Sequence, residues 1–419
     1  MSPRYPKPPE GSWTEHFGLD TGPVSYADSI SPSFYERERQ AIFRRAWLNV
    51  GRVEQLPKAG SYFTKELAVL NTSIVVVRGM DDEIRAFHNV CRHRGNKLVW
   101  NESPEEETQG FCRQFTCKYH AWRYELDGSL TFIQQEDEFF DVDKSQLGLV
   151  SMHCEVWEGF VFVCAAREPE WSLREFLGPM ITALEGYPFD RLTSRFGYRT
   201  EVRANWKLFM DAFAEFYHAP VLHSKQSPDK YAVAAREAGY EAPYYAVEGP
   251  HRLVSTSGVR FWEMDPGSLK PMEVMTRGGL FGPWDKADLG ELPAGVNPGR
   301  CKPWGLDSFQ LFPNFVILIW GQGWYLTYHY WPTSYNTHVF EGNVYFLPAT
   351  NVRERIAQEM SAVTFKEFAL QDANTLEATQ LMVESGYVEK FPLNDQEVLL
   401  RHLHKVVGDW VEQHAGVPA

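Results

Sequence analysis

The chain has 419 residues and a formal net charge of −14, with 44% hydrophobic and 23% charged residues. This length exceeds that of a usual single domain, so we expect two domains, or one large domain with an insertion. The composition is that of a globular protein with a sizeable core, which excludes a largely disordered chain. The acidic balance argues against a nucleic-acid partner, or a membrane partner bound through a general basic face.

Cysteine usage and targeting signals bear on the compartment. The segment MSPRYPKPPEGSW has no apolar stretch typical of a signal peptide, and the longest apolar run, FVILIW at 315–320, is too short to span a bilayer. The six cysteines are too sparse for a disulfide scaffold. These features predict a cytoplasmic protein in which clustered cysteines serve a metal or catalysis.

The first part of the chain predicts an arm, a helix and then strands. Residues 1–30 are rich in proline, glycine and serine, which is typical of an extended arm. Pro32 and a Ser33-x-x-Glu36 capping box begin an amphipathic helical pattern. Between 50 and 165, short alternating or β-branched runs are separated by glycine, aspartate and asparagine, which predicts a small all-β unit.

The second part predicts helices around a β-sheet. A helical pattern near 204–218 precedes three long β-runs between 307 and 348, which we expect to be neighbouring antiparallel strands. Helical patterns follow near 352–384 and 394–413. The fold class predicted for the whole chain is therefore α+β, with an all-β unit followed by an antiparallel sheet flanked by helices.

Two short motifs within the all-β unit carry metal-ligand residues. They are Cys91-x-His93 and Cys117-x-x-His120. Two loops that each bring one thiolate and one imidazole could form a tetrahedral zinc site or a mixed-ligand iron–sulfur site, and spacing alone does not separate the two. A zinc finger pairs its cysteines first and its histidines second, whereas each loop here offers one of each.

The two motifs resemble the Rieske [2Fe–2S] pattern. The resemblance implies that Cys91 and Cys117 hold the inner iron and that His93 and His120 hold the outer iron. Two neutral imidazoles in place of two thiolates raise the potential of such a cluster above that of an all-cysteine ferredoxin. One departure from the family pattern is Ala121, which follows the second histidine where glycine is common.

A second group of candidate ligands lies in NWKLFMDAFAEFYHAPVLH, at 205–223. His218 and His223 would diverge on an unbroken helix, and we expect Pro220 to interrupt the helix so that both histidines reach one ion. Two histidines and a carboxylate with open positions on one side form the facial triad that holds non-haem Fe(II).

This segment resembles the catalytic motif of Rieske oxygenases, N-W-K followed by (D/E)-x-x-H-x-x-x-x-H. The resemblance makes His218 and His223 iron ligands and Glu215 the carboxylate that bridges the two metal centres. A distant D-x-x-x-x-E-x-x-Q run, which starts at Asp372, implies that Asp372 is the third ligand, with Glu377 next in line. A solvated helix face is the competing interpretation of that run.

Together the motifs resemble the large (alpha) subunit of a Rieske non-haem iron aromatic-ring-hydroxylating oxygenase. The implied organisation is an arm and helix at 1–47 that packs on the catalytic domain, a Rieske domain at 48–165 and a catalytic mononuclear iron domain at 166–419. Related large subunits form rings of three, so a homotrimer or an alpha3beta3 assembly is expected. The implied cofactors are a [2Fe–2S] cluster and mononuclear Fe(II), with O2 as co-substrate.

Electrons for this chemistry would come indirectly from NAD(P)H. The chain has neither a strand followed by G-x-G-x-x-G nor a plant-type ferredoxin cysteine pattern, so the reductase is expected to be a separate protein. Basic side chains crowd the cluster loops of this acidic protein, and they form either a docking face for a ferredoxin or flavin reductase or an ordinary solvated surface. They are Arg92, Arg94, Lys97, Arg113, Lys118 and Arg123.

The substrate is the least determined feature. Aromatic and aliphatic residues in the predicted sheet alternate as if one set faces a cavity, although core packing explains them equally well. The favoured interpretation is an apolar aromatic or polycyclic substrate and a role in aromatic hydrocarbon catabolism. The alternative is a monooxygenase for a quaternary ammonium compound, because glutamate at 215 resembles the choline, betaine and carnitine oxygenases and Trp and Tyr rings could form a cation–π cage. Different classes are a non-catalytic Rieske electron-transfer protein and a zinc-stabilised binding protein, which metal analysis distinguishes.

Overall fold

A computed structural model describes residues 7–223, 242–256, 271–279, 282–302 and 304–416. The chain divides into two compact units, one made of Met1–Glu38 with Leu177–Ala415 and the other of Arg39–Phe176 with Gly416–Ala419. Helices in the described ranges do not combine the length and apolar character needed to cross a membrane. The division at 47 and 165 inferred from sequence stays a prediction.

The strands and helices are numbered in chain order. The strands before residue 176 are β1 (Val24–Ser25), β2 (Leu48–Arg52), β3 (Ser61–Leu67), β4 (Thr72–Arg78), β5 (Ile84–His88), β6 (Gln109–Phe111), β7 (Phe115–Thr116), β8 (Arg123–Tyr124), β9 (Leu130–Phe132), β10 (Ser151–Trp157) and β11 (Phe160–Cys164). The later strands are β12 (Ser194–Val202), β13 (Tyr244–Glu248), β14 (His251–Thr256), β15 (Gly278–Gly279), β16 (Gly282–Pro283), β17 (Leu306–Leu311), β18 (Phe315–Trp320), β19 (Trp324–Ser334), β20 (Thr337–Phe346) and β21 (Lys390–Phe391). The α-helices are α1 (Trp13–His16), α2 (Pro32–Glu38), α3 (Leu173–Thr182), α4 (Trp206–Asp211), α5 (Ala219–Leu222), α6 (Pro271–Thr276), α7 (Val352–Glu384) and α8 (Val398–Gln413).

The unit that spans Arg39–Phe176 is built from antiparallel sheets. Its seven-stranded sheet has the order β2-β11-β10-β5-β4-β3-β6, and a three-stranded sheet has the order β7-β8-β9. The core between the strands includes Phe87, Trp122 and Tyr124 together with both motif cysteines, Cys91 and Cys117. The predicted all-β unit is therefore confirmed, and its core extends to the cluster loops.

The other unit centres on a second seven-stranded antiparallel sheet. The strand order is β12-β20-β19-β18-β17-β14-β13, so the three long runs predicted from sequence are neighbouring strands. Every residue of β18 is buried, which explains why the strand reads as a continuous apolar run rather than an alternating one. Helix α4 contacts both β19 and α7. The predicted α+β class is confirmed.

Two sequence-based helix boundaries are wrong. Helix α2 begins at Pro32 and is capped by Ser31, whose Oγ accepts a hydrogen bond from the Phe34 backbone N–H at 3.2 Å, so the Ser33 capping box does not form the cap. The helix predicted near 204–218 ends at Asp211 as α4. The chain therefore leaves the helix well before Pro220, which lies in the first turn of α5.

A buried ion network joins three distant parts of this unit. His404 on α8 lies between Asp28 of the arm and Asp211 of α4, with Nδ1 2.9 Å from Asp28 Oδ2 and Nε2 3.1 Å from Asp211 Oδ2. Lys207 pairs with Glu38 at 2.5 Å, and both side chains are fully buried. The arm and α8 thus contact the helix that precedes the candidate iron ligands.

Candidate metal centres

The two cysteine–histidine motifs form equivalent turns. In the first loop, which follows β5, the Gly95 N–H donates to the Cys91 carbonyl at 3.1 Å. In the second loop, which joins β7 to β8, the Ala121 N–H donates to the Cys117 carbonyl at 3.0 Å. The residue four positions after each cysteine has a left-handed backbone, with φ of 72° at Gly95 and 56° at Ala121. The turn explains why glycine is common at position 121, since a Cβ is strained in this region.

The thiols lie inside the unit and the imidazoles lie nearer its surface. Cys91 and Cys117 are 3% and 2% exposed, whereas His93 and His120 are half-buried. The ring centroids of the two histidines are 4.6 Å apart. This arrangement matches the inner thiolates and outer imidazoles that the sequence resemblance implies.

Tyr124 is a further residue at this site. Its hydroxyl accepts a hydrogen bond from the Arg92 N–H at 3.0 Å, which leaves its own O–H to donate to Cys91 Sγ at 3.3 Å. Burial raises the pKa of Cys91, the Tyr124 hydroxyl opposes this rise, and the nearby Cys117 adds to it. Hydrogen bonds to cluster sulfur atoms are among the features that set the reduction potential of an iron–sulfur centre. Sequence reasoning did not single out Tyr124.

The residues present fit a Rieske cluster. Two buried sulfur atoms and two imidazoles lie on adjacent loops, and the buried Nδ1 of His93 has no hydrogen-bond partner among the residues that the structure describes. A buried imidazole nitrogen without a hydrogen-bond partner is costly unless a metal binds it. The donor set is that of a [2Fe–2S] centre with two cysteines and two histidines.

The N-W-K residues fix the start of α4 rather than bind metal. Asn205 Oδ1 accepts the Lys207 N–H at 2.9 Å as the helix cap, and the Asn205 N–H donates to Gln380 Oε1 at 2.9 Å. Lys207 forms the buried pair with Glu38 described above. These contacts join α4 to α7 and to α2, which positions the segment that carries the candidate ligands.

Glu215 turns the backbone between α4 and α5. One carboxylate oxygen, Oε2, accepts hydrogen bonds from the N–H groups of Tyr217 and His218, and the other, Oε1, contacts Nδ1 of His218. These bonds lie in the non-helical link after α4, which ends four residues earlier at Asp211. His218 and His223 then lie at the two ends of the single-turn helix α5.

Three side-chain atoms converge on one point. His218 Nε2 lies 3.3 Å from His223 Nε2, and Asp372 Oδ1 lies 3.7 Å and 3.5 Å from these two nitrogens. His218, His223 and Asp372 form a group that could hold a metal ion, with ligand atoms within 4.8 Å of one another. The group combines α5 with α7, which are far apart in sequence. The structure therefore brings together the three ligands predicted from sequence.

The hydrogen bonds on the far side of each imidazole favour a cation at this point. Nδ1 of His218 contacts a Glu215 oxygen, and Nδ1 of His223 lies 2.8 Å from Oε1 of Gln371. Each Nδ1 therefore carries the proton in a neutral imidazole, and both Nε2 lone pairs point toward each other. Neither oxygen of Asp372 has a hydrogen-bond partner in the described part of the chain, although the side chain is 1% exposed. Lone pairs and a buried carboxylate without donors fit a divalent metal ion.

The pKa values of these groups follow from burial and charge. Burial opposes a charged His218, but the carboxylates of Glu215 and Asp372 outweigh it and raise the pKa of His218 to about 9. Burial lowers the pKa of His223 to about 4. Burial also raises the pKa of Asp372 to about 7, although His218 opposes the rise. The electric field at His218 thus favours positive charge, as a metal ion would supply.

Other predicted residues lie elsewhere. Glu377, the second choice for the third ligand, accepts a hydrogen bond from the Arg203 N–H at 3.0 Å and is not in the metal-ligand group. Gln371, which contacts His223, was missed by sequence reasoning, because an amide beside a ligand has no signature in a single sequence. A cavity of about 280 Å3 borders the group, and Glu215, His218 and Asp372 contribute to its wall.

Of the basic side chains around the cluster loops, one is paired with a carboxylate and the other five are exposed. Lys97 is paired with Glu66 at 2.6 Å. Arg94 lies over the ring of the exposed Tyr119, which in turn packs on His120 with ring centroids 3.8 Å apart. The exposed members of the predicted set are Arg92, Arg94, Arg113, Lys118 and Arg123. These five side chains, here called the exposed basic rim, adjoin His120 through Arg94 and Tyr119.

Comparison with known proteins identifies two domains. The family described as "Ring hydroxylating alpha subunit (catalytic domain)" matches residues 189–413, and "Rieske [2Fe-2S] domain" matches residues 46–146. The chain belongs to the family of ring-hydroxylating alpha subunits, as the large subunit of a Rieske oxygenase. A Rieske [2Fe–2S] cluster and a mononuclear iron are the cofactors of these two domains.

The individual relatives have low sequence identity to this chain, between 18% and 34% in three examples. The chain is 34% identical over 196 residues to the carnitine monooxygenase oxygenase subunit of Acinetobacter pittii, which covers 46% of this chain and 50% of that protein. It therefore matches about half the length of its curated relatives. A solved quaternary ammonium Rieske monooxygenase, described in terms of carnitine oxidation and inter-subunit electron transfer, has a TM-score of 0.67 at 19% identity and covers 97% and 99% of the two chains. Naphthalene 1,2-dioxygenase from Rhodococcus sp. has a TM-score of 0.70 at 18% identity and covers 94% and 95%.

These findings bear on the predictions from sequence. The oxygenase class, the Rieske cluster and the mononuclear iron are confirmed. The sequence favoured an apolar aromatic substrate and aromatic hydrocarbon catabolism, whereas the curated relative supports the quaternary ammonium alternative better. The two solved structures show the fold alone, since their identity to this chain is low.

Proposed function

We propose that this chain is the terminal oxygenase of a monooxygenase that hydroxylates a small quaternary ammonium compound. The observation that carries the oxygenase reaction is the convergence of two imidazole nitrogens and one buried carboxylate oxygen on a single point. Fe(II) bound there would retain open positions and supply the reductive activation of O2. The reaction is R–H + O2 + 2 e− + 2 H+ → R–OH + H2O, with both electrons from NAD(P)H through a separate reductase.

The residues have distinct roles in this proposal. His218, His223 and Asp372 hold the mononuclear iron, and Glu215 orients His218 through its Nδ1. We further propose that Glu215 couples this site to the cluster of a neighbouring chain. The cluster ligands are Cys91, His93, Cys117 and His120.

Three tyrosines near Asp372 are the rings that we propose for contact with a cationic substrate. Burial raises the pKa values of Tyr198, Tyr328 and Tyr330, and the negative charge of Asp372 adds to each rise, so all three rings lie within its field. Aromatic faces and a nearby negative charge both attract a quaternary ammonium group. The carnitine-oxidising relative and glutamate at position 215 support the same class.

A matched pair of compounds tests the substrate class. Choline and 3,3-dimethylbutan-1-ol have the same shape, but only choline carries a charge. We expect choline, glycine betaine or carnitine to stimulate O2 uptake with stoichiometric product, and the neutral compound to bind at least about tenfold more weakly, as one or two cation–π contacts predict. Hydroxylation of a carbon attached to the quaternary nitrogen cleaves the C–N bond, so mass spectrometry should detect a tertiary amine and a carbonyl product. Equal binding of the pair would refute the cationic substrate.

An apolar aromatic substrate is the second candidate. It is favoured by the apolar aromatic packing on the sheet, where the ring centroid of Phe213 lies 4.7 Å from that of Tyr328 and 6.1 Å from that of Phe340. Naphthalene and biphenyl in the same assay distinguish it. Hydroxylated aromatic product without any product from the quaternary ammonium compounds would reverse the order of the two candidates.

A non-catalytic electron carrier is the alternative from a different class. It would hold the cluster but would need no second metal site, whereas His218, His223 and Asp372 form a group that could hold a metal ion. Elemental analysis separates the two, because the oxygenase should contain about three iron atoms and two acid-labile sulfides per chain and the carrier about two irons. Zinc without iron would identify the zinc-stabilised alternative.

We propose a homotrimer, with or without a small beta subunit, in which electrons cross between chains. The exposed basic rim beside His120 would dock an acidic ferredoxin or flavin reductase.

Transfer of electrons between chains can be tested by complementation. Cys91→Ser and Asp372→Ala chains should each be inactive alone and should regain activity in co-purified mixed oligomers that carry two different tags. No recovery at any mixing ratio would refute transfer between chains. The cytoplasmic location stays a prediction.

A further inference from the structure

We propose that Gln371 is a positioning residue that sets the orientation and the protonated nitrogen of His223. The inference rests on the proposed function in one respect, namely that His223 is an iron ligand. Oε1 of Gln371 lies 2.8 Å from Nδ1 of His223. The ring of Phe368 packs edge-on against the same imidazole, with centroids 4.7 Å apart.

A single helix supplies these contacts together with the carboxylate ligand. Gln371 and Asp372 follow Phe368 by three and four positions on α7, so both lie next to Phe368 on the helix surface. Phe368 restricts the ring plane of His223, Gln371 holds one edge of the ring, and Asp372 Oδ1 lies 3.5 Å from the nitrogen at the other edge. Helix α7 thus sets the position of two of the three ligands at once.

The chemistry of the amide decides which nitrogen can bind metal. A neutral imidazole has one N–H donor and one acceptor nitrogen, and an amide oxygen only accepts. Oε1 of Gln371 therefore places the proton on Nδ1 and leaves the lone pair on Nε2, which faces His218 Nε2 at 3.3 Å. If the amide were turned to present its NH2, the proton would move to Nε2 and obstruct the metal.

The two histidine ligands are consequently oriented by different chemistry. His218 has a carboxylate partner, Glu215, whereas His223 has a neutral one. A carboxylate partner strengthens an imidazole as a ligand, and an amide orients it without added charge. Since Asp372 and Glu215 already bring two negative charges, a neutral partner at Gln371 limits the charge that accumulates around one ion.

Three variants test this role. Gln371→Leu removes the acceptor, Gln371→Glu retains an oxygen in nearly the same shape, and Asn374→Leu removes a similar amide from an exposed position on the same helix. Unchanged visible absorption of the cluster and unchanged circular dichroism check that each variant is folded. If Gln371→Leu fails to fold, the position of the proton on His223 in the wild type carries the test.

Two measurements distinguish positioning from a general structural effect. In protein labelled with 15N-histidine and stripped of its mononuclear iron by a chelator, the His223 ring should be protonated at Nδ1 in the wild type and mixed in Gln371→Leu. Competition with a ferrous chelator should show Fe(II) affinity about 10- to 100-fold lower in Gln371→Leu, and retained in Gln371→Glu and Asn374→Leu.

Either of two results would overturn the role of Gln371. One is a proton on Nε2 of His223 in the wild type, and the other is equal Fe(II) affinity in Gln371→Leu and Asn374→Leu. A wild type that binds no mononuclear iron would instead refute the proposed function, while the NMR result would still decide the hydrogen bond. The two failures are therefore distinguishable.

Discussion

Replacing His404 by glutamine should destabilise the catalytic unit in a pH-dependent way. His404 is buried between the carboxylates of Asp28 and Asp211. Burial opposes the charged imidazole, but the two carboxylates outweigh burial and raise the pKa of His404 from its ordinary value of 6.5 to about 10. A pKa raised by folding contributes stability that is fully present below pH 6.5 and is lost as pH rises through about 10.

The size of the effect follows from this pKa. A rise from 6.5 to about 10 corresponds to roughly 5 kcal/mol, since one pKa unit is about 1.36 kcal/mol. Lys207 Nζ lies 3.8 Å from Asp28 Oδ2 and remains after the substitution, and the new amide can donate to one carboxylate. We therefore expect His404→Gln to cost about 3 kcal/mol near pH 7, at the lower end of the range for breaking a buried ion pair.

Thermal unfolding followed by tryptophan fluorescence measures this cost. For a unit of this size, about 3 kcal/mol corresponds to a fall in Tm of roughly 6 to 12 °C. The difference from wild type should be largest at pH 6.5 and should shrink by pH 10.5. The exposed His153 provides a matched control, His153→Gln, which should change little. A Tm difference that is the same at both pH values would refute the electrostatic reasoning.

Four further predictions concern the metal centres and the cluster loops. Cys91→Ser should abolish the visible absorption of the cluster while the catalytic unit still folds, and wild-type absorption would contradict the cluster assignment. Asp372→Ala should keep the cluster and lose the third iron in elemental analysis, because two imidazoles alone hold Fe(II) weakly. Glu215→Gln should retain both metals yet slow cluster reoxidation at least about tenfold with O2 and substrate present, and an unchanged rate would remove its coupling role. Ala121→Gly should be neutral or raise Tm, since φ at this position is 56°, and a clear fall in Tm would argue against strain there.

The sequence predicted those parts of the two sites that depend on local spacing. Cys91 and His93 are two positions apart, and a tight turn leaves such a pair few arrangements. His218 and His223 were also predicted, but for a partly wrong reason. Helix α4 already ends at Asp211, nine residues before Pro220, so Pro220 does not interrupt it, and Glu215 binds N–H groups in the link that follows.

Features that depend on tertiary structure could not be predicted. Gln371 and Tyr124 act through hydrogen bonds to residues far away in sequence, and neither belongs to a recognisable motif. The pairing of His404 with Asp28 likewise joins opposite ends of the chain. The substrate class could not be chosen from the sequence for a related reason, because aromatic residues that pack a core and aromatic residues that bind a ligand give the same composition. The curated relative supports the quaternary ammonium class better than the aromatic content of the sheet supports an aromatic substrate.

Because the chain is synthesised from its N-terminus, the residues of the buried ion network are made at different times. Asp28 and His404 are 376 positions apart, and the whole of Arg39–Phe176 is made between them. Synthesis adds about 5 to 20 residues per second, so His404 is made roughly 20 to 75 s after Asp28. The iron–sulfur unit can fold in that interval, whereas the catalytic unit cannot enclose its charges until α8 has emerged. A chain released early should therefore be a coloured fragment that carries a cluster but no catalytic iron.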